Sequence, residues 1–238
     1  RFLKRDELSA HLDSGAKRVF ISRNAKDTID RYVIPGINES SIKSSDQIIS
    51  TTSSTTQVLA LMVKMLDESF GLNRAMMTTV HAYTADQPLA DAAGVDLRRS
   101  RSAVENIIPN TTLAPSIVES LMPQFSGKLD GIAFNVPVPN GSCVDLTTDL
   151  ENTPSVDEAN DAIKNFSKGS LEGIVGYTED PIVSSDVIGR EETMVFDQKA
   201  TMMTNDELLK TLCWYDNGWG FASRILDVVD AYATLEDK

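Results

Sequence analysis

Residues 50–62 read STTSSTTQVLALM, a run of small hydroxyl side chains that gives way abruptly to an apolar, helix-like segment. A polar strand end that runs into a helix N-terminus gathers unpaired backbone N–H groups and positive dipole at one point, a setting that favours anions, oxyanions and phosphates. An ordinary Ser/Thr cap explains the same run equally simply. Val58, Leu59, Met62, Met65, Leu66 and Phe70 keep helical spacing, so SSTT is read as the cap of a helix extending to Phe70.

Upstream, DELSAHLD (6–13) reads as a short helix closed by Gly15, and RVFIS (18–22), RYVIPGI (31–37) and QIIST (47–51) read as short strands. This order suggests the end of a parallel α/β sheet. Downstream, RAMMTTVHAYT (74–84) reads as a long strand that delivers His81 near its end. Residues 85–110 show little periodicity and hold three arginines, a long loop of the kind retained for function. A helix follows near 112–122. GIAFNVPVP (131–139) and SCVDLTTDL (142–150) read as consecutive strands forming an antiparallel pair. Ser155 with Glu158 and Thr204 with Glu207 both match capping boxes, each predicting a helix. The apolar stripe of the last 18 residues predicts a C-terminal helix packed on the core. The fold class is α/β: an α+β body with a mixed or antiparallel sheet, preceded by a parallel remnant.

Composition narrows the function. The chain has 238 residues, 41% hydrophobic and 24% charged, as in a soluble globular protein. Thirty-five acids against 22 bases give a formal charge of −13, which argues against nucleic acid or an anionic membrane as partner. Cys143 and Cys213 lie far apart without metal-ligand spacing, so no disulfide framework and no metal site is expected. No apolar stretch is long enough to span a membrane, and no signal peptide is present, so a cytoplasmic location is expected. The N-x-S/T triplets at Asn38, Asn110, Asn140 and Asn165 are read as chance matches. The chain starts without methionine inside what reads as a folded unit, which suggests a part of something longer.

Ser54 at a helix start, His81 leaving a strand 27 positions later and a Thr/Arg-rich loop after it suit acyl or phosphate-ester chemistry. The wording of the segments adds more. STTSSTTQ, MTTVHAYTADQ, LRRSRSAVENIIP, GIAFNVPVPN, GYTEDPIVSSD and WYDNGWGFASR resemble, in order, the motifs of phosphorylating glyceraldehyde-3-phosphate dehydrogenases and their erythrose-4-phosphate relatives. The resemblance covers essentially the whole chain. It implies that residues 1–50 are the last part of an NAD-binding Rossmann domain, that 51–216 are the catalytic domain, and that 217–238 form a helix returning to the first part. No G-x-G-x-x-G phosphate loop occurs in this sequence, so binding of NAD or NADP by this chain alone is not expected. Apolar faces that would lie against the rest of that domain predict self-association.

In the family a cysteine thiolate attacks an aldehyde, hydride passes to the nicotinamide, and phosphate cleaves the thioester. Matching S-C-T-T-N-C to S-S-T-T-Q-V places Ser54 at the cysteine and His81 at its base. A helix terminus contributes at most about 2 kcal/mol, roughly 1.5 pKa units, which helps a thiol near 8.5 and leaves an aliphatic hydroxyl protonated. The arginine that grips the substrate phosphate is replaced by Asn135, whose amide lacks the charge and the forked donors. Thr84 of that site is kept, as are Ser53, Thr55 and Thr112 of the inorganic-phosphate site, with one of the cluster Arg98, Arg99 and Arg101 as its arginine; Leu113 stands where a glycine is usual and is expected to crowd the site. Asn217 matches the residue that orients the nicotinamide. The resemblance therefore implies a sugar phosphate or other anion as ligand, a homo-oligomer (a tetramer in the family), lost or severely impaired dehydrogenase activity, and a binding, regulatory or assembly role. The alternatives are an oxidoreductase acting on an altered aldehyde and a Ser54/His81 hydrolase of the esterase type.

Overall fold

The computed structural model describes residues 4–205 and 207–236. The first segment holds helix α1 (Arg5–Asp13) and strands β1 (Val19–Ile21), β2 (Arg31–Tyr32) and β3 (Ile48–Ser50), which form a parallel sheet in the order β1-β3-β2. A central parallel strand must be covered on both faces, and successive side chains of a strand point to opposite sides. Ile48 accordingly packs with Leu8 and Ile21, whereas Ile49 packs with Val33, Val228 and Tyr232. The strand expected over 31–37 ends at Tyr32. Gly36 turns the chain at φ 82°, and Asn38 replaces the lost ladder, its Oδ1 accepting from Ile34 N at 2.8 Å and its Nδ2 donating to Tyr32 O at 2.8 Å.

The remainder comprises helix α2 (Ser54–Phe70), strand β4 (Leu72–Ala82), strand β5 (Ile108–Asn110), helix α3 (Ala114–Leu121), strands β6 (Leu129–Val136) and β7 (Ser142–Leu150), helix α4 (Val156–Ser167), strands β8 (Val175–Thr178), β9 (Met194–Asp197), β10 (Met202–Thr204) and β11 (Leu208–Tyr215), and helix α5 (Trp219–Glu236). The strands make one eight-stranded mixed sheet, β5-β6-β4-β7-β11-β9-β8, with β10 paired to β11. Helix α2 is buried almost all round, Val58, Leu61, Met62 and Met65 being at most 1% exposed. Each such side chain contributes about 1.5–3 kcal/mol of burial. This core fixes the position of the helix N-terminus.

Two expectations are corrected. β6 and β7 do not pair, because β4 lies between them, parallel to β6 and antiparallel to β7. The link 137–141 crosses the end of β4, where Tyr83 N donates to Val138 O at 3.1 Å. Five extended residues reach about 16 Å, more than the roughly 10 Å across two strand spacings, so link length does not distinguish the two arrangements. Thr204 and Glu207 open no helix: they flank the turn between β10 and β11, with Glu207 N donating to Thr204 O at 2.9 Å. The alternating burial of LLKTLCWY along β11 outweighs the local cap signal. Asp206 of that turn lies outside the described residues. The box at Ser155 and Glu158 does open α4.

Candidate active site

The junction of β3 and α2 is a tight elbow. Thr52, fully buried, has φ 66°, a left-handed conformation that costs a β-branched residue about 1–3 kcal/mol. Surrounding hydrogen bonds hold it there: Thr52 N donates to Ser50 Oγ at 2.9 Å, Ser50 Oγ donates to Arg23 O at 2.7 Å, and Gln57 Nε2 donates to Thr51 O at 2.7 Å. Ser53 is the N-cap, its Oγ accepting from Thr56 N at 3.3 Å. Ser54 is the first helical residue and half-buried, and its hydroxyl has no hydrogen-bond partner among the described residues.

His81 arrives on β4, one residue before the strand ends. Its Nδ1 lies 2.7 Å from Ala82 O. A carbonyl only accepts, so Nδ1 carries the proton and Nε2 is left as the basic nitrogen. Burial lowers the pKa of the imidazole below its ordinary value, partly offset by that hydrogen bond, so the neutral base is the favoured form. The Tyr215 ring meets the imidazole edge-on at 6.0 Å, and its hydroxyl bonds to Thr55 Oγ1 at 2.8 Å and Thr79 Oγ1 at 3.1 Å. Burial pushes this phenol up to about 12.

These elements border a cavity of about 590 Å³. Of the residues singled out from sequence, Ser53, Thr55, His81, Thr84, Thr112 and Arg99 line it. Ser54 stands next to it, between Ser53 and Thr55. Arg98 instead lines a neighbouring cavity of about 440 Å³, sharing Asn110, Thr111 and Thr112 with the first. Asn217 also sits apart from the lining: its Oδ1 accepts from Ser142 Oγ at 3.0 Å, and Ser142 Oγ accepts from Ala82 N at 3.0 Å. Asn135 lines the cavity, but its amide is engaged within the protein, Nδ2 donating to Ala82 O and Oδ1 accepting from Asn110 Nδ2, each at 3.3 Å. Leu113 lines the cavity and is 61% exposed; Thr112 Oγ1 accepts from Ala114 N at 3.2 Å.

Three charged residues of the cavity escaped the sequence reading: Arg23, Lys26 and Asp86. Asp86 accepts a short hydrogen bond from the Thr84 hydroxyl and forms a 2.5 Å ion pair with Arg99. The Thr84 hydrogen bond, then the charges of Arg99 and Arg23, hold its carboxyl below the usual range against the opposing effect of burial. With Arg23, Lys26 and Arg99 facing one carboxylate, the cavity is positive in a protein of formal charge −13. Among the described residues no group of His, Cys, Asp or Glu could hold a metal ion.

The sequence profile of the "Glyceraldehyde 3-phosphate dehydrogenase, C-terminal domain" matches residues 53–217. The chain belongs to the glyceraldehyde-3-phosphate dehydrogenase family. It is 44% identical over 228 residues to glyceraldehyde-3-phosphate dehydrogenase 2 of Streptomyces avermitilis, covering 95% of this chain and 68% of the relative. It is 45% identical over 228 residues to the glyceraldehyde-3-phosphate dehydrogenase of Mycobacterium tuberculosis, covering 96% and 67%. For the Priestia megaterium enzyme the identity is 42% over 233 residues, covering 98% and 69%. The mixed α/β architecture agrees with this glyceraldehyde-3-phosphate dehydrogenase assignment. Among the described residues no helix is long and apolar enough to cross a membrane.

Proposed function

We propose that this member of the family binds a sugar phosphate or related phosphorylated aldehyde in the 590 Å³ cavity and is severely impaired in dehydrogenation, serving a binding, regulatory or assembly role. The observation that carries the reading is Ser54, a half-buried hydroxyl with no hydrogen bond to His81, at the position where the family resemblance calls for a thiol. The helix start and the neutral imidazole are both in place, yet neither brings an aliphatic hydroxyl near ionisation at neutral pH. Ligand-holding groups persist beside it. Ser53, Thr55 and Thr112 offer hydroxyls, Arg99 offers charge, and Thr84 stands at the opposite substrate-phosphate position. His81 is the residue that would hold or move a proton, at Nε2.

A hydrolytic triad finds no support in this arrangement: the Nδ1 of His81 is oriented by a backbone carbonyl rather than by a carboxylate. For NAD or NADP, the Asn217 side chain is fixed through Ser142 with its amide N–H groups left for a carboxamide. The described residues fit that end of the cofactor alone. In this reading residues 1–50 close a Rossmann domain, 51–216 form the catalytic domain, α5 returns to the first part, and the protein is a cytoplasmic homo-oligomer, a tetramer as in the family.

The test compares the full-length protein with its Ser54→Cys variant, each supplied with NAD, phosphate and glyceraldehyde 3-phosphate. Silent wild type with NADH formed by Ser54→Cys means that Ser54 alone blocks the chemistry. Silence from both, with ligand still bound, extends the divergence to the cofactor site. Turnover by wild type comparable to the variant's overturns the proposal.

A further inference from the structure

Three cations face the cavity, and two of them come from a segment outside the matched family profile, the connection between β1 and β2. Arg99 is already engaged by Asp86. The Arg23 side chain has no hydrogen-bond or salt-bridge partner among the described residues, and neither has that of Lys26. The Arg23 backbone is nonetheless fixed, because its carbonyl accepts from the fully buried Ser50 hydroxyl at 2.7 Å. Its guanidinium lies close enough to Asp86 to act on that carboxylate, and Asp86 in turn holds the Thr84 hydroxyl. Arg23 thus lines the same cavity as Thr84 and Asn135, where the family resemblance places the substrate's phosphate and where this chain has Asn135 in place of arginine. Asn135 is spent on Ala82 and Asn110.

We infer that Arg23, assisted by Lys26, supplies the cationic grip on the ligand's phosphate that Asn135 cannot supply. The inference rests on the reading of this cavity as a phosphorylated-ligand site. A guanidinium offers the forked donors that suit a phosphate, and it is delivered by the small parallel sheet rather than by the central strand β6. The neighbouring Asn24 adds a second requirement. Asn24 lines the same cavity, and its Oδ1 is buried without a partner, an acceptor that a ligand hydroxyl would satisfy. The occupant is thus a small polyol phosphate, anionic at one end and hydroxyl-bearing along its body.

The experiment is a calorimetric titration of the full chain with sn-glycerol 3-phosphate, with glycerol as the uncharged control, for wild type, Arg23→Ala, Arg23→Lys, Arg99→Ala and the double variant Arg23→Ala/Asn135→Arg. Arg23 is exposed, so its truncation leaves the core intact, and thermal unfolding checks this. Expected are a loss of affinity of about tenfold or more in Arg23→Ala, partial recovery in Arg23→Lys, and recovery in the double variant, in which arginine returns to position 135. Unchanged affinity in Arg23→Ala together with weakening in Arg99→Ala overturns the role of Arg23 and leaves the site standing. Absence of binding by wild type overturns both the site and this inference.

Discussion

The Tyr215 hydroxyl lies 2.8 Å from Thr55 Oγ1, joining the last residue of β11 to the second residue of α2 across 160 positions of sequence. The same hydroxyl reaches Thr79 on β4, two residues before His81. One buried phenol thus sets the first turn of the helix against the strand that carries the base. Tyr215→Phe keeps the ring and leaves Thr55 Oγ1 without its buried partner, whereas Thr79 Oγ1 keeps the Cys143 carbonyl at 3.1 Å. Denaturant unfolding should show a loss of about 1–3 kcal/mol, together with weaker ligand binding. Unchanged stability would show that this bond does not fix the helix.

His81 makes stability depend on pH in a definite direction. Burial depresses its folded pKa below 6.5, so the unfolded chain takes up the proton first as pH falls. The contribution is therefore fully present above about 6.5 and is lost as pH drops through the folded value. The chain has only two histidines, so the ring protons of His81 can be followed by NMR. Its midpoint should fall on the acid side of 6.5, and His81→Gln should flatten the slope of unfolding free energy in that window.

The C-terminal helix is tied to the small sheet by charge. Tyr232 donates to Asp46 Oδ2 at 2.8 Å, and Asp46 also pairs with Arg31 and accepts from Lys43 N at 2.9 Å. Burial alone would raise the Asp46 carboxyl; the hydrogen bonds from Arg31, Lys43 and Tyr232 outweigh it and lower the pKa below 3.8. The resulting stability is present above 3.8 and lost as pH falls through the folded value. Tyr232→Phe should cost about 1.5–3 kcal/mol, and Asp46→Asn, which strands Arg31, about 3–5 kcal/mol. Amide exchange along α5 should accelerate in both. If exchange there stays at its wild-type rate, the tether is not what holds the helix.

Leu113 lines the cavity on the side where the proposed reading puts inorganic phosphate. Its φ of −94° makes no demand for glycine, so its size is the relevant property. Leu113→Gly should tighten inorganic phosphate severalfold by calorimetry, at a stability cost of about 0.5–1 kcal/mol. Equal affinity in both proteins would mean that the side chain does not crowd the anion.

Much of this arrangement was readable from residue order. The apolar spacing from Val58 to Phe70 and the cap at Ser53 locate α2, and the long run from Arg74 locates the strand that delivers His81. Thr84, Thr112 and Arg99 were found through motif resemblance and do border one cavity. Strand neighbours were not readable, because the five residues between β6 and β7 fit either an adjacent pair or a pair with β4 inserted. Thr204 and Glu207 show the same limit at a shorter range, since a hydroxyl three residues before a carboxylate suits a tight turn as well as a helix start. Arg98 and Arg99 are adjacent in an aperiodic loop, and only the path of that loop separates their cavities. Arg23 and Lys26 lie in a connection without periodicity, and they reach the cavity only when the small parallel sheet closes against the eight-stranded one. Local pattern carries no trace of that closure.

The account is tested most directly by a phosphorus NMR titration of glyceraldehyde 3-phosphate with the full-length protein in the presence of NAD and inorganic phosphate, because one spectrum registers both binding and conversion. It predicts saturable broadening of the substrate resonance, reversed by excess sn-glycerol 3-phosphate, with no acyl phosphate signal accumulating. A growing acyl phosphate resonance would contradict the loss of dehydrogenase chemistry at Ser54, and an unperturbed substrate line at stoichiometric protein would contradict the cavity's role as a phosphate-binding site.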